Sequence, residues 1–78
     1  MIVFDIEQEL AVLSENGTAK KALTLTSWNN YPAKLDLRTW IITGDKPQPG
    51  KGITLNEEEA ETLYNALKGV FAEAPANA

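Results

Sequence analysis

Lys20, Trp28, Lys34, Arg38 and Trp40 bring cations and flat aromatic rings into one short stretch of the chain. Ammonium and guanidinium groups hold phosphates, and an indole offers a surface on which an unpaired base stacks for ~1–3 kcal/mol whatever its identity. Such a set suits a single-stranded nucleic acid. Reading a duplex would call for a helix or ribbon fitted to a groove, and the one helical pattern here opens on Glu57, Glu58, Glu59 and Glu61.

Other chemistry has few candidates. The chain contains neither His nor Cys, which removes imidazole bases, thiolate nucleophiles and every metal site built on them. The glutamate cluster fits the positive end of a helix dipole, and it has no neighbouring base or nucleophile to work with. Gly50-Lys51-Gly52 lacks the G-x-x-x-x-G-K-[ST] spacing of a phosphate-binding loop. The expectation is a protein that is not an enzyme, with no cofactor, no metal and no small-molecule substrate.

The formal net charge of −4 looks unfavourable for a polyanion ligand until the charges are placed. Up to Leu55, Lys20, Lys21, Lys34, Arg38, Lys46 and Lys51 balance Asp5, Glu7, Glu9, Glu15, Asp36 and Asp45; beyond it, five glutamates face Lys68 alone. The acidity thus belongs to the C-terminal segment, and the rest is free to present a local basic surface. No signal peptide or membrane span is expected from the N-terminal residues, and the lack of Cys fits a cytoplasmic location, nucleoid-associated if the source is bacterial.

These residues need a scaffold, and the periodicity supplies one. Apolar residues alternate from Ile2 to Val12 as in a half-buried strand. Asn16-Gly17 is the dipeptide of a type I′ hairpin turn, and a two-residue loop there would set Leu10 opposite Leu23, Val12 opposite Lys21 and Gln8 opposite Leu25. Asn29-Asn30-Tyr31-Pro32 breaks the second strand. A third strand spans Lys34 to Ile42, Gly44 to Gly52 reads as a Gly- and Pro-rich loop, and Ile53-Thr54-Leu55 forms a short fourth strand. Asn56 is a helix N-cap with Glu59 three residues on, and Ala60, Leu63, Leu67, Val70 and Phe71 share one helical face. The helix is expected to end near Phe71, leaving residues 72–78 as a disordered tail after a single domain of residues 1–71.

Strand alternation divides the side chains into two sets. Leu23, Leu25, Leu35, Leu37 and Ile41 form the expected core face, covered by the helix. Lys20, Ala22, Thr24, Thr26 and Trp28, with Lys34, Asp36, Arg38 and Trp40, form the opposite face, which is then the outer one. A chain of 78 residues hides about 60–65% of its surface on folding, so apolar side chains left over on the helix predict a second copy.

Asp36-Leu37-Arg38-Thr39-Trp40, followed by Pro49-Gly50-Lys51-Gly52-Ile53-Thr54-Leu55-Asn56-Glu57-Glu58, resembles the signature of the positive cofactor four transcriptional coactivator family: a D-[IL]-R-x-[WY] strand, a P-G-x-K-G-I-[ST]-L loop and an acidic helix start. Ser27-Trp28-Asn29-Asn30 and Leu13-Ser14-Glu15-Asn16 point to its bacterial YdbC-like single-stranded DNA-binding branch. The resemblance implies an α+β fold, β-β-β-β-α, with a curved four-stranded antiparallel sheet and one C-terminal helix, forming a homodimer whose sheets present grooves to single-stranded DNA. It implies a phosphate-contacting role for Arg38, an aromatic role for Trp40, a basic loop role for Lys51 and a place for Trp28 near the aromatic of the second turn. The expected nucleic-acid-binding set is Lys20, Lys21, Trp28, Lys34, Arg38, Trp40 and Lys51. The expected function is sequence-tolerant binding of single-stranded DNA in transcription, replication or repair. The alternatives are a single-stranded RNA binder and a protein-interaction module that uses the outer tryptophans.

Overall fold

A computed structural model describes residues 2–73. Four strands, β1 (Phe4–Asn16), β2 (Ala19–Trp28), β3 (Lys34–Ile41) and β4 (Gln48–Leu55), form one antiparallel sheet in chain order, followed by α1 (Glu57–Glu73). Short connections between successive strands make this meander the direct outcome of the sequence.

The first turn falls one residue later than the Asn-Gly signal suggests. Asn16 pairs with Ala19, so Gly17 and Thr18 are the loop, and of these Gly17 alone has positive φ (63°). That is the pattern of a type II′ turn, with Gly in the first central position. Gln8 faces Leu25 as expected, whereas Ala11 rather than Leu10 faces Leu23, and Ser14 rather than Val12 faces Lys21. The register slips between Ile6 and Gln8, Glu9 and Ala11, and Val12 and Ser14; each extra residue bends β1 and raises its twist. The type I′ turn occurs at the second hairpin instead. Asn29 and Asn30 have φ of 51° and 68°, and Tyr31 N donates to Trp28 O at 2.9 Å; Asn is one of the few residues that takes this left-handed conformation at low cost.

β4 begins at Gln48, within the stretch expected to be a loop. Its glycines are required by close approach: a Cβ on Gly52 would run into the Arg38 side chain, and one on Gly50 into the Thr39 carbonyl. Pro49 is tolerated because β4 is an edge strand. Asn56 caps α1 reciprocally, with its Oδ1 accepting from Glu59 N at 2.7 Å and its own N donating to Glu59 Oε1 at 2.9 Å, the capping box expected from the sequence. The helix includes Ala72 and Glu73, which the sequence reading assigned to the tail. The remainder of that tail, residues 74–78, lies outside the described residues.

The core lies on the face expected to be outer. Ala22, Thr24, Thr26, Asp36 and Trp40 are each no more than 1% exposed, while Leu23, Leu25, Leu35 and Leu37 are half-buried. Curvature explains the inversion. Trp40 pairs with Lys20, eight positions before Trp28 on β2, a separation of about 26 Å along a flat strand. The two indole centroids are nevertheless 6.1 Å apart and nearly parallel, with Phe4 packed 5.7 and 5.5 Å from them. The sheet curls over this face, and the small side chains of Ala22, Thr24 and Thr26 leave room for the rings. The helix does not cover the leucine face: a single residue, Asn56, separates it from β4, too little chain to turn it back across the sheet. It meets the sheet near its own start, where Leu25, Leu35, Leu55 and Ala60 line a shared cleft, and Leu63, Leu67, Val70 and Phe71 stay exposed.

Candidate nucleic-acid interface

Asp36 and Arg38 stand two residues apart on β3, so their side chains share the inner face. Arg38 Nε and Nη2 clasp the two oxygens of the Asp36 carboxylate, the second at 2.9 Å. Asp36 Oδ2 also accepts from Trp28 Nε1 at 3.1 Å and from Thr54 Oγ1 at 2.9 Å. Arg38 Nη1 donates to the Gly50 carbonyl at 3.1 Å, and the guanidinium carbon lies 4.7 Å from the centre of the Trp28 ring. A fully buried carboxylate is tolerable only when paired and hydrogen-bonded in this way. Gly52 completes the arrangement, because its missing side chain is the space that Arg38 crosses.

This network changes the place of several expected contacts. Arg38 is committed to Asp36 and Gly50, with its side chain 14% exposed. Trp40, expected on the outer face, is a core residue at 1% exposure, and its Nε1 has no hydrogen-bond partner among the described residues. Trp28 is half-buried, held by Asp36 through its N–H and packed against Phe4 and Trp40. Lys20 forms an ion pair with Glu9 at 2.7 Å.

The other lysines fall into two groups. Lys34 lies on the inner face, where Trp28, Tyr31, Pro32, Lys34 and Thr54 line a cleft of about 270 Å³. Lys21 and Lys51 line a second cleft, of about 320 Å³, with Leu37, Arg38, Thr39 and Gly52; Lys21 alternates with Leu23 and so belongs to the opposite face of the sheet. Lys21, Lys34 and Lys51 make no ion pair among the described residues. Of the expected set, Lys21, Arg38 and Lys51 are brought to one cleft and Trp28 and Lys34 to the other, while Trp40 is buried in the core and Lys20 pairs with Glu9.

Sequence reading missed one residue, Tyr31. It joins the first cleft, and its signal was an aromatic beside the Asn29-Asn30 turn. Lys46 lies 4.9 Å over the Phe4 ring, so the β3–β4 loop reaches back over the inner face. Among the described residues no group of three or more Asp or Glu side chains gathers to hold a metal, and no helix is long and apolar enough to cross a membrane.

An uncharacterized protein of Treponema pallidum (strain Nichols) is 32% identical over 68 residues, covering 86% of this chain and 78% of that protein. The family model for Transcriptional Coactivator p15 (PC4) matches residues 15–66, which span the Asp36–Arg38 network, Gly50 and Gly52, both clefts and the capping box. With most of its length matched, from the end of β1 into α1, the chain belongs to the Transcriptional Coactivator p15 (PC4) family.

Proposed function

We propose that the protein binds single-stranded DNA with little sequence preference, and that it does so as a homodimer. The observation that carries this reading is the inner-face cleft, where the ammonium of Lys34, without an ion-pair partner among the described residues, stands beside the aromatic side chains of Trp28 and Tyr31. Phosphate contact and base stacking are the two elements of sequence-tolerant binding, and membership of a transcriptional coactivator family adds support. Lys21 and Lys51 add phosphate contacts. Both clefts reach β4, one at Thr54 and the other at Lys51 and Gly52, so one strand touches both by passing over that edge.

The dimer follows from apolar surface. Leu67, Val70 and Phe71 on α1 are 47, 60 and 74% exposed, and Ile53 on the leucine face of the sheet is 52% exposed. So many large apolar side chains left exposed on so small a domain support an interface with a second copy. Sedimentation at micromolar concentration should give twice the 8.5 kDa chain mass. A monomer would remove the dimer from the proposal.

Salt dependence tests the binding itself. Arg38 and Lys20 are occupied by carboxylates, so Lys21, Lys34 and Lys51 remain for phosphate in each protomer. Six contacts in a dimer give a slope of log K against log salt of about −4 for single strands. Oligo-dT should show this slope, with duplex DNA of equal length bound more weakly and oligo-U measured beside them. A slope near zero, or equal affinity for the duplex, would rule the proposed mode out.

A further inference from the structure

We infer that Tyr31 is the ring on which a base stacks, and that the two tryptophans are the scaffold that presents it. This rests on the proposed binding of single-stranded DNA and names the residue that makes the base contact.

The chain has six aromatic residues, and the structure leaves one of them in position. Trp40 is buried. Trp28 lies nearly parallel to Trp40 with Phe4 against it and the Arg38 guanidinium over its ring; a base could lie on that indole only after one of these groups had left. Phe4 is packed against both indoles and has the Lys46 ammonium over its ring. Tyr64 and Phe71 stand on α1, apart from either lysine-bearing cleft. Tyr31 is 69% exposed and lines the cleft that holds Lys34.

Its backbone is fixed although its ring is open. Tyr31 N donates to Trp28 O at 2.9 Å, and Tyr31 O accepts from Ser27 Oγ at 2.6 Å. The turn beneath is tied to the start of the chain by Asn29 N donating to Val3 O at 2.7 Å. Pro32 follows directly and restricts Tyr31 to extended backbone. A ring displayed from such a turn loses little backbone freedom when a ligand arrives, which is the advantage of preorganisation. Lys34, in the same cleft, is placed for the phosphate that flanks the stacked base.

The test pairs a variant with a probe that has no bases. Wild type, Tyr31→Ala and Tyr31→Phe are titrated with oligo-dT and with an abasic oligonucleotide of equal length, and their thermal transitions are recorded. Tyr31→Ala should weaken oligo-dT binding about 5- to 150-fold, leave binding of the abasic strand unchanged and keep the wild-type transition. Tyr31→Phe should retain affinity to within about threefold, since the ring face rather than the hydroxyl makes the contact. Wild-type affinity for oligo-dT in Tyr31→Ala would overturn the inference and leave the parent reading intact. Equal losses for both probes would also overturn it, by assigning Tyr31 a role in the shape of the turn. A wild-type protein that binds no oligo-dT would remove the parent reading and this inference together.

Discussion

Asp36→Ala is expected to lower stability by ~3–5 kcal/mol, the cost of removing one partner of a buried ion pair. Arg38 would keep its charge with its side chain 14% exposed and its carboxylate gone, and Trp28 Nε1 and Thr54 Oγ1 would lose the acceptor they share. For a domain of 78 residues the whole folding free energy is about 4–12 kcal/mol, so the variant is left at the edge of folding. Thermal unfolding checks this, because each kcal/mol moves the midpoint of a domain this size by roughly 4–8 °C. Arg38→Ala should cost a similar amount, since it strands the carboxylate of Asp36, which is 0% exposed. The double variant should cost clearly less than the sum of the two, the coupling expected of residues in one network. If either single variant melts within a few degrees of wild type, the network is not what holds the curled sheet. Arg38 is then free for phosphate, as the sequence resemblance implies.

Most elements of this fold were legible because they have a local cause, whereas β4 was legible only from Ile53 onward. The Asn56 and Glu59 capping box depends on side chains three residues apart, and the alternation along β2 and β3 correctly separates the leucine set from the set containing Trp28 and Trp40. Which set is buried was not legible. Hydropathy ranks Leu23, Leu25, Leu35 and Leu37 above Ala22, Thr24 and Thr26, but burial here is set by the curl of the sheet, which brings rings from distant register positions over the small residues. The curl in turn goes with the irregularities in β1, and these depend on tertiary packing that no short window contains. Asp36-Leu37-Arg38 did carry a signal: opposite charges two apart on a strand share a face and pair readily. Gly52 was its counterpart, read as a loop residue because its reason for being glycine is a cross-strand neighbour. The candidate site was half legible for the same reason. Lys34 and Trp28 reach one cleft as the alternation suggests, whereas the roles of Arg38 and Trp40 are decided by what packs on them.

Trp40 provides the second large effect, and two substitutions separate its structural role from a binding one. Trp40→Ala removes a ring that is 1% exposed from a cluster with Phe4 and Trp28, so a loss of ~3–5 kcal/mol is expected from lost burial plus the cavity left behind. Affinity for oligo-dT should fall only to the extent that the protein unfolds. Trp40→Phe is the sharper variant. It keeps much of the ring contact while deleting Nε1, a buried donor without a partner among the described residues. An unsatisfied buried donor costs ~1–3 kcal/mol, comparable to what the smaller ring forfeits, and the two effects should nearly cancel. Near wild-type melting with unchanged affinity would mark Trp40 as core packing. Near wild-type melting with affinity reduced about fivefold or more, the loss expected when a stacking ring is impaired, would instead mean that the ring leaves the core to meet DNA. That outcome requires the Phe4, Trp28 and Trp40 cluster to open on binding, with exposure of the small residues now beneath it.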